Sequence, residues 1–238
     1  MLSDHDNKVL TQTGPGSSMG QLFRRFWMPI LLASEINQAD GDPVRVKILG
    51  EELVAFRDSN GEVGLIDSRC PHRQAELFWG RNEENGLRCV YHGWKFNRNG
   101  VCVDMPSEPT DSQFKDKVSI VSYPTREWGG LIWAFLGPRE LIPNLPEFEF
   151  AKVPEDHFFV SKKLQECNWA QSLEGGIDTA HFSFLHMLLE LPEDAPAAWH
   201  YMKADGAPRF TILPTDAGFL IGGARNAGAT DTYWRMTQ

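Results

Sequence analysis

Two cysteine–histidine pairs constrain this chain more than any other feature. Cys70-Pro71-His72 gives C-x-H, sixteen residues intervene, and Cys89-Val90-Tyr91-His92 gives C-x-x-H. Each half brings one thiolate and one imidazole. A 2Fe-2S rhomb whose two irons differ in ligation needs that set, with both sulfurs on one iron, both nitrogens on the other, and two loops closing from opposite sides. Neutral imidazoles in place of two anionic thiolates leave such a cluster less negative and easier to reduce, which suits a centre that passes electrons onward. A closed tetrahedral zinc site is the competing use of the same side chains. Zinc ribbons and fingers usually pair C-x₂₋₄-C with a separate Cys or His pair instead of alternating the two residue types.

The chain holds only four cysteines in 238 residues, too few for a disulfide framework, so Cys beside His points to metal. Cys102 and Cys167 have no partner at ligand spacing and read as buried structural thiols. A formal net charge of -9 and the lack of a basic run argue against a nucleic-acid partner, whose phosphates want clustered Lys and Arg. Asp4 and Asp6 stand where a signal peptide would be basic, and apolar stretches such as Leu131 to Leu136 fall far short of the ~20 residues that cross a bilayer. The expectation is a cytoplasmic protein with no membrane partner.

Along the chain, Gln21 to Ile36 reads as a short helix ended by Pro29. Strands are then expected at Val44 to Leu49, Leu53 to Arg57, Val63 to Asp67, Leu87 to Val90, Trp94 to Phe96, Val101 to Asp104, Val118 to Tyr123 and Leu131 to Leu136, punctuated by Asn60-Gly61 and Asn99-Gly100 turns. The pattern is antiparallel. Pro138, Pro143, Pro146 and Pro154 mark a connection. Leu164 to Leu189 reads as two helical pieces interrupted by Gly175-Gly176, and Phe210 to Leu213, Phe219 to Gly222 and Thr230 to Thr237 as strands. The expected organisation is a segment 1–39, a cluster domain 40–138, the Pro-rich connection 139–154 and a second domain 155–238. TDTYWRMTQ is strand-like up to Gln238, so the expectation is an N-terminal piece of a longer protein.

CPHR followed by CVYHGWKFNRNGVC resembles the Rieske domain, which implies an antiparallel β-sandwich with the cluster at its tip. The fold class expected is α+β, a Rieske sandwich followed by the first part of a helix-plus-antiparallel-sheet catalytic domain. Pro71 and Gly93 resemble the tight-turn positions, where a fixed φ or a missing side chain lets backbone amides approach the sulfurs.

Asn168 to His186 reads NWAQSLEGGIDTAHFSFLH and carries D-x-x-H-x-x-x-x-H. On a helix Asp178 and His181 would share a face, whereas His181 and His186 would stand roughly 140° apart. Both imidazoles reach one metal only if the helix widens or ends between them. With the upstream motif, the segment resembles Rieske non-haem iron ring-hydroxylating oxygenase large subunits, most of all the phthalate 4,5-dioxygenase group. The resemblance implies a mononuclear Fe(II) on His181 and His186. It also implies that Asp178 connects that iron to His92 of a neighbouring subunit in a homotrimer. The third, carboxylate ligand is expected beyond Gln238, and Glu190, Glu193 and Asp194 are not assigned to it. The partners implied are an NAD(P)H-dependent flavin/iron-sulfur reductase, O₂ and an aromatic acid such as phthalate. A stand-alone Rieske electron carrier is the alternative, and it leaves the residues after Pro138 unexplained.

Overall fold

The computed structural model describes residues 2–216 and 218–237. Two compact units divide between Leu164 and Gln165. The first contains helices α1 (Asp4–Thr11) and α2 (Ser18–Phe23) and strands β1 (Trp27–Leu32), β2 (Val44–Ile48), β3 (Glu51–Arg57), β4 (Val63–Asp67), β5 (Arg81–Glu83), β6 (Gly86–Arg88), β7 (Lys95–Phe96), β8 (Cys102–Asp104), β9 (Thr125–Trp128) and β10 (Leu131–Phe135). The second contains α3 (Trp169–Ile177), α4 (Phe182–Leu185), α5 (Ala197–Ala204), β11 (Arg209–Thr215), β12 (Gly218–Asn226) and β13 (Thr232–Thr237). The class is α+β, with antiparallel pairing throughout the described sheets.

In the first unit the sheets run β1-β10-β9, β2-β3-β4 and β5-β6-β7-β8. Strand β3 explains why they stack. Its run Leu53-Val54-Ala55-Phe56 is buried throughout, and because side chains alternate across a strand, it serves two cores. Val54 and Phe56 join Ile66, Leu87 and Phe96, while Leu53 and Ala55 join Leu65, Ile132 and Ala134. Cys70 and Cys89 belong to the first of these cores. Both ligand loops therefore start from its packed surface.

Three sequence expectations change here. Gln21 to Ile36 is not one helix: α2 ends at Phe23, and Pro29 lies in β1, an edge strand of its sheet, where the register with β10 shifts between Pro29 and Leu31. An edge position with a bulge is where a strand tolerates a residue without an N–H. Val118 to Tyr123 is extended but forms no strand, because it changes partner midway. Val118 O and Ile120 N bond Cys102 and Gly100, whereas Val121 O and Tyr123 N bond Asp67 and Leu65. Finally, α3 runs straight through Gly175 and Gly176 and stops at Asp178 instead.

In the second unit β11, β12 and β13 form one antiparallel sheet. Asn168 caps α3 by accepting from the Gln171 N–H. No described helix is long and apolar enough to cross a membrane.

Candidate metal centres

The first centre is built from two loops with one backbone design. After β4, the Cys70 N–H donates to Ala75 O (2.9 Å) and the Gln74 N–H to Cys70 O (2.9 Å). Between β6 and β7, the Cys89 N–H donates to Trp94 O (2.9 Å) and the Gly93 N–H to Cys89 O (3.1 Å). The fifth residue of each loop turns left-handed, Gln74 at φ 58° and Gly93 at φ 76°. Both loops thus fold back over their own cysteine, and the His72 and Arg73 backbone N–H groups point at the Cys70 sulfur.

The side chains converge accordingly. Cys70 and Cys89 are 2% and 3% exposed and touch each other. Burial first, and the facing Cys89 after it, push the Cys70 thiol up to about 11. A sulfur held this way keeps its proton unless a cation displaces it, which is the behaviour of a metal site. The His72 and His92 rings lie 4.4 Å apart, centroid to centroid. Burial, then His92 and Arg73, lower the His72 pKa from its ordinary value, which favours the neutral form a ligand needs. Its other face stacks on Trp94 at 4.5 Å and 8°.

His72 Nδ1 is buried and has no hydrogen-bond partner among the described residues. An orphaned buried nitrogen is costly, and a metal is the partner that removes the cost. The donor set fits a binuclear cluster: a sulfur pair beside an imidazole pair.

Arg88 supports the second loop and carries no signal in the sequence. It is mostly buried, bonds Glu83 (2.5 Å) and Asp104 (2.7 Å), and donates from Nη1 to Gly93 O at 2.7 Å. The loops also make a contrast that can be measured. A Cβ on Gly93 would lie 2.6 Å from Pro106 Cγ as well as occupy a left-handed φ, so Gly93→Ala is expected to destabilise the first unit by about 2 kcal/mol. Gln74→Gly relieves the same conformation and is expected to stabilise by about 1 kcal/mol. Urea titration of both variants checks the opposite signs.

The second centre lies in the second unit. Asp178 follows α3 as its C-cap (φ −71°, ψ 124°), so it does not share a helix with His181, contrary to the sequence expectation. Its carboxylate instead accepts from the Ala180 N–H (2.8 Å), the His181 N–H (3.0 Å) and His181 Nδ1 (2.8 Å). These bonds offer the backbone an alternative to continuing α3. They also hold the carboxyl below its usual range, Ala180 contributing most.

His181 and His186 flank the single turn α4 as N-cap and C-cap. Their rings meet at 5.2 Å and 66°. The break after Asp178 and the shortness of α4 bring together imidazoles that a continuous helix would splay. With Nδ1 committed to Asp178, Nε2 is the nitrogen of His181 that could hold a metal. Cys102 is buried, whereas Cys167 is exposed, against expectation, because it lies just ahead of α3 in a stretch exposed from Ser161 to Asn168.

Comparison with known proteins agrees with this architecture. Residues 26–124 match the family described as Rieske 2Fe-2S domain, and residues 134–237 match the family described as LigXa C-terminal domain like. The chain is 44% identical over 235 residues to the 3-chlorobenzoate-3,4-dioxygenase oxygenase subunit of Comamonas testosteroni, covering 97% of this chain and 54% of that one. It is 43% identical over 248 residues to the phthalate 4,5-dioxygenase oxygenase subunit of Pseudomonas putida, covering 100% and 56%. Dicamba monooxygenase shares the fold with a TM-score of 0.66 at 23% identity, over 85% of this chain and 56% of that one.

The first unit therefore defines a Rieske 2Fe-2S protein. The chain as a whole belongs to the family of Rieske non-haem iron oxygenase large subunits, whose cofactors are a 2Fe-2S cluster and a mononuclear iron. It spans about half the length of the curated relatives it matches.

Proposed function

We propose that this chain forms the cluster-bearing part, and half of the iron-bearing part, of an oxygenase component that hydroxylates an aromatic carboxylate. Cys70 and Cys89 would hold one iron of the cluster, His72 and His92 the other, and His181 and His186 the mononuclear iron. When bound, the cluster supplies one-electron transfer and the iron supplies activation of O₂.

The chain's own residues set the conditions for that chemistry. The two folded-back loops and Arg88 fix the cluster ligands. Trp94 closes one face of His72 against water, while Asp178 fixes the tautomer of His181 so that Nε2 faces the metal. Asp178 would also accept a hydrogen bond from His92 of a neighbouring copy in a trimer, joining the centres by a short polar path. Electrons would come from an NAD(P)H-oxidising flavin/iron-sulfur reductase.

The observation that carries this reading is the Asp178–His181–His186 cluster in a chain that also holds the two cysteine loops. Two relatives named for 3-chlorobenzoate and phthalate support a carboxylate-bearing ring as the substrate class. The reading is checked by reconstituting the chain with iron and sulfide and then adding Co(II) as a probe of the second site. His181→Ala and His186→Ala are expected to lose Co(II) uptake with the cluster spectrum unchanged; uptake that survives both substitutions overturns the iron assignment. For substrate, the gene product is supplied with reductase, NADH and phthalate or its dimethyl ester. Oxygen-dependent hydroxylation of the acid alone is expected, and turnover of the ester alone overturns the carboxylate class.

A further inference from the structure

We propose that Gly223 and Arg225 of β12 are positioning residues that seat the turn carrying Asp178 and His181. The functional meaning of that seat rests on the reading of His181 and His186 as metal ligands. The two residues are two apart on a regularly paired strand, so both face the same side of the sheet.

Arg225 is 0% exposed. Its guanidinium donates to Thr179 O (2.6 Å) and Thr179 Oγ1 (3.1 Å), to Asp205 O (2.9 Å) and to Ser183 Oγ (3.5 Å). These acceptors are neutral oxygens. A buried cation without a bonded carboxylate is expensive to keep, and here its donors go to Thr179 and Ser183, on either side of His181 in sequence, and to the Asp205 carbonyl. Thr179 separates Asp178 from Ala180, whose N–H the Asp178 carboxylate holds.

Gly223 supplies the other half of the seat. A Cβ there would lie 2.5 Å from Thr179 Cγ2, although its φ is one any residue adopts. The glycine is therefore required by the close approach of Thr179, not by backbone conformation. Thr179 is gripped through its oxygens by Arg225 and accommodated through its methyl by Gly223. Shifting it moves the Asp178 carboxylate away from the amides and ring nitrogen it orients.

The test uses the whole chain, with the cluster's visible spectrum as an internal standard for the first unit. Hydrogen exchange is followed at the Ala180 and His181 amides, both of which donate to the Asp178 carboxylate. Gly223→Ala is expected to speed their exchange about tenfold or more. Adding Thr179→Ser to that variant removes the colliding methyl, keeps an oxygen for Arg225, and is expected to restore slow exchange. Arg225→Lys keeps the charge but cannot span the Thr179 carbonyl and hydroxyl, so it is expected to exchange fast as well. Co(II) bands at the His pair should follow the same order, lost in Gly223→Ala and regained in the double variant.

Unchanged exchange in Gly223→Ala, or no restoration by Thr179→Ser, overturns the seat. Should Gly223→Ala unfold the second unit altogether, recovery in the double variant still decides. Equal Co(II) uptake by wild type and His181→Ala would refute the metal reading and leave the exchange result to judge the seat alone.

Discussion

Alanine at His72 or at His92 abolishes the visible absorption and the Rieske-type EPR signal of the reconstituted chain. In the proposed assignment each imidazole is one of two protein ligands to its iron, so its loss leaves that iron short of a donor. The expected loss is near complete, beyond the 10–100-fold typical of disturbing an outer partner of a ligand. Folding should survive, because the core around Leu53, Leu65 and Ile132 shares no residue with the ligand loops. Far-UV circular dichroism separates these outcomes. Retention of the visible bands and the EPR signal in both variants would sink the cluster assignment, and a colourless wild-type chain that binds zinc would put the tetrahedral alternative in its place.

That prediction rests on what the sequence makes legible. Ligand spacing is a local property, so Cys70, His72, Cys89 and His92 stand out as candidate ligands from their order alone. Strands β2, β3, β4 and β10 were legible for a related reason. Runs such as Leu53 to Phe56 are apolar on both faces because both faces meet a core, and Gly-containing turns bound them.

What stayed hidden depends on partners distant in sequence. Nothing in Gln74 announces a left-handed turn; the hydrogen bonds that impose it come from the folded loop. Arg88 becomes a support for Gly93 only when β6 and the returning loop are in place. Pro29 suggested a helix end because its tolerance in β1 follows from an edge position that β10 creates 100 residues later. Arg225 would ordinarily be placed on the surface, and its burial becomes intelligible only once Thr179 lies against it. The break after Asp178 is intermediate. The Asp-x-x-His spacing suggests a shared helical face, and the bonds from Ala180 N–H, His181 N–H and His181 Nδ1 show instead a carboxylate capping the next turn.

That geometry makes Asp178→Asn the other substitution with a large expected effect. The carboxylate accepts from Ala180 N–H through one oxygen and from His181 N–H and Nδ1 through the other. An asparagine has one acceptor oxygen. If it replaces Oδ2, its NH₂ faces the Ala180 N–H; if it replaces Oδ1, both bonds to His181 are lost. Either orientation leaves a donor opposed by a donor and removes the charge that strengthened every bond, a cost of about 1–3 kcal/mol to the turn. The His181 ring then has no fixed tautomer, and metal affinity at the His pair is expected to fall by about 10–100-fold. Co(II) titration reads this directly, with the cluster spectrum unchanged as the control. In the assembled oxygenase the same variant should slow single-turnover reoxidation of the cluster, because in the proposed polar path from His92 of one copy to His181 of the next a single neutral amide oxygen would replace the carboxylate. Normal Co(II) affinity with slowed reoxidation would confine Asp178 to the electron path. Weak Co(II) affinity with normal reoxidation would confine it to ligand orientation, and wild-type behaviour in both would remove Asp178 from the site.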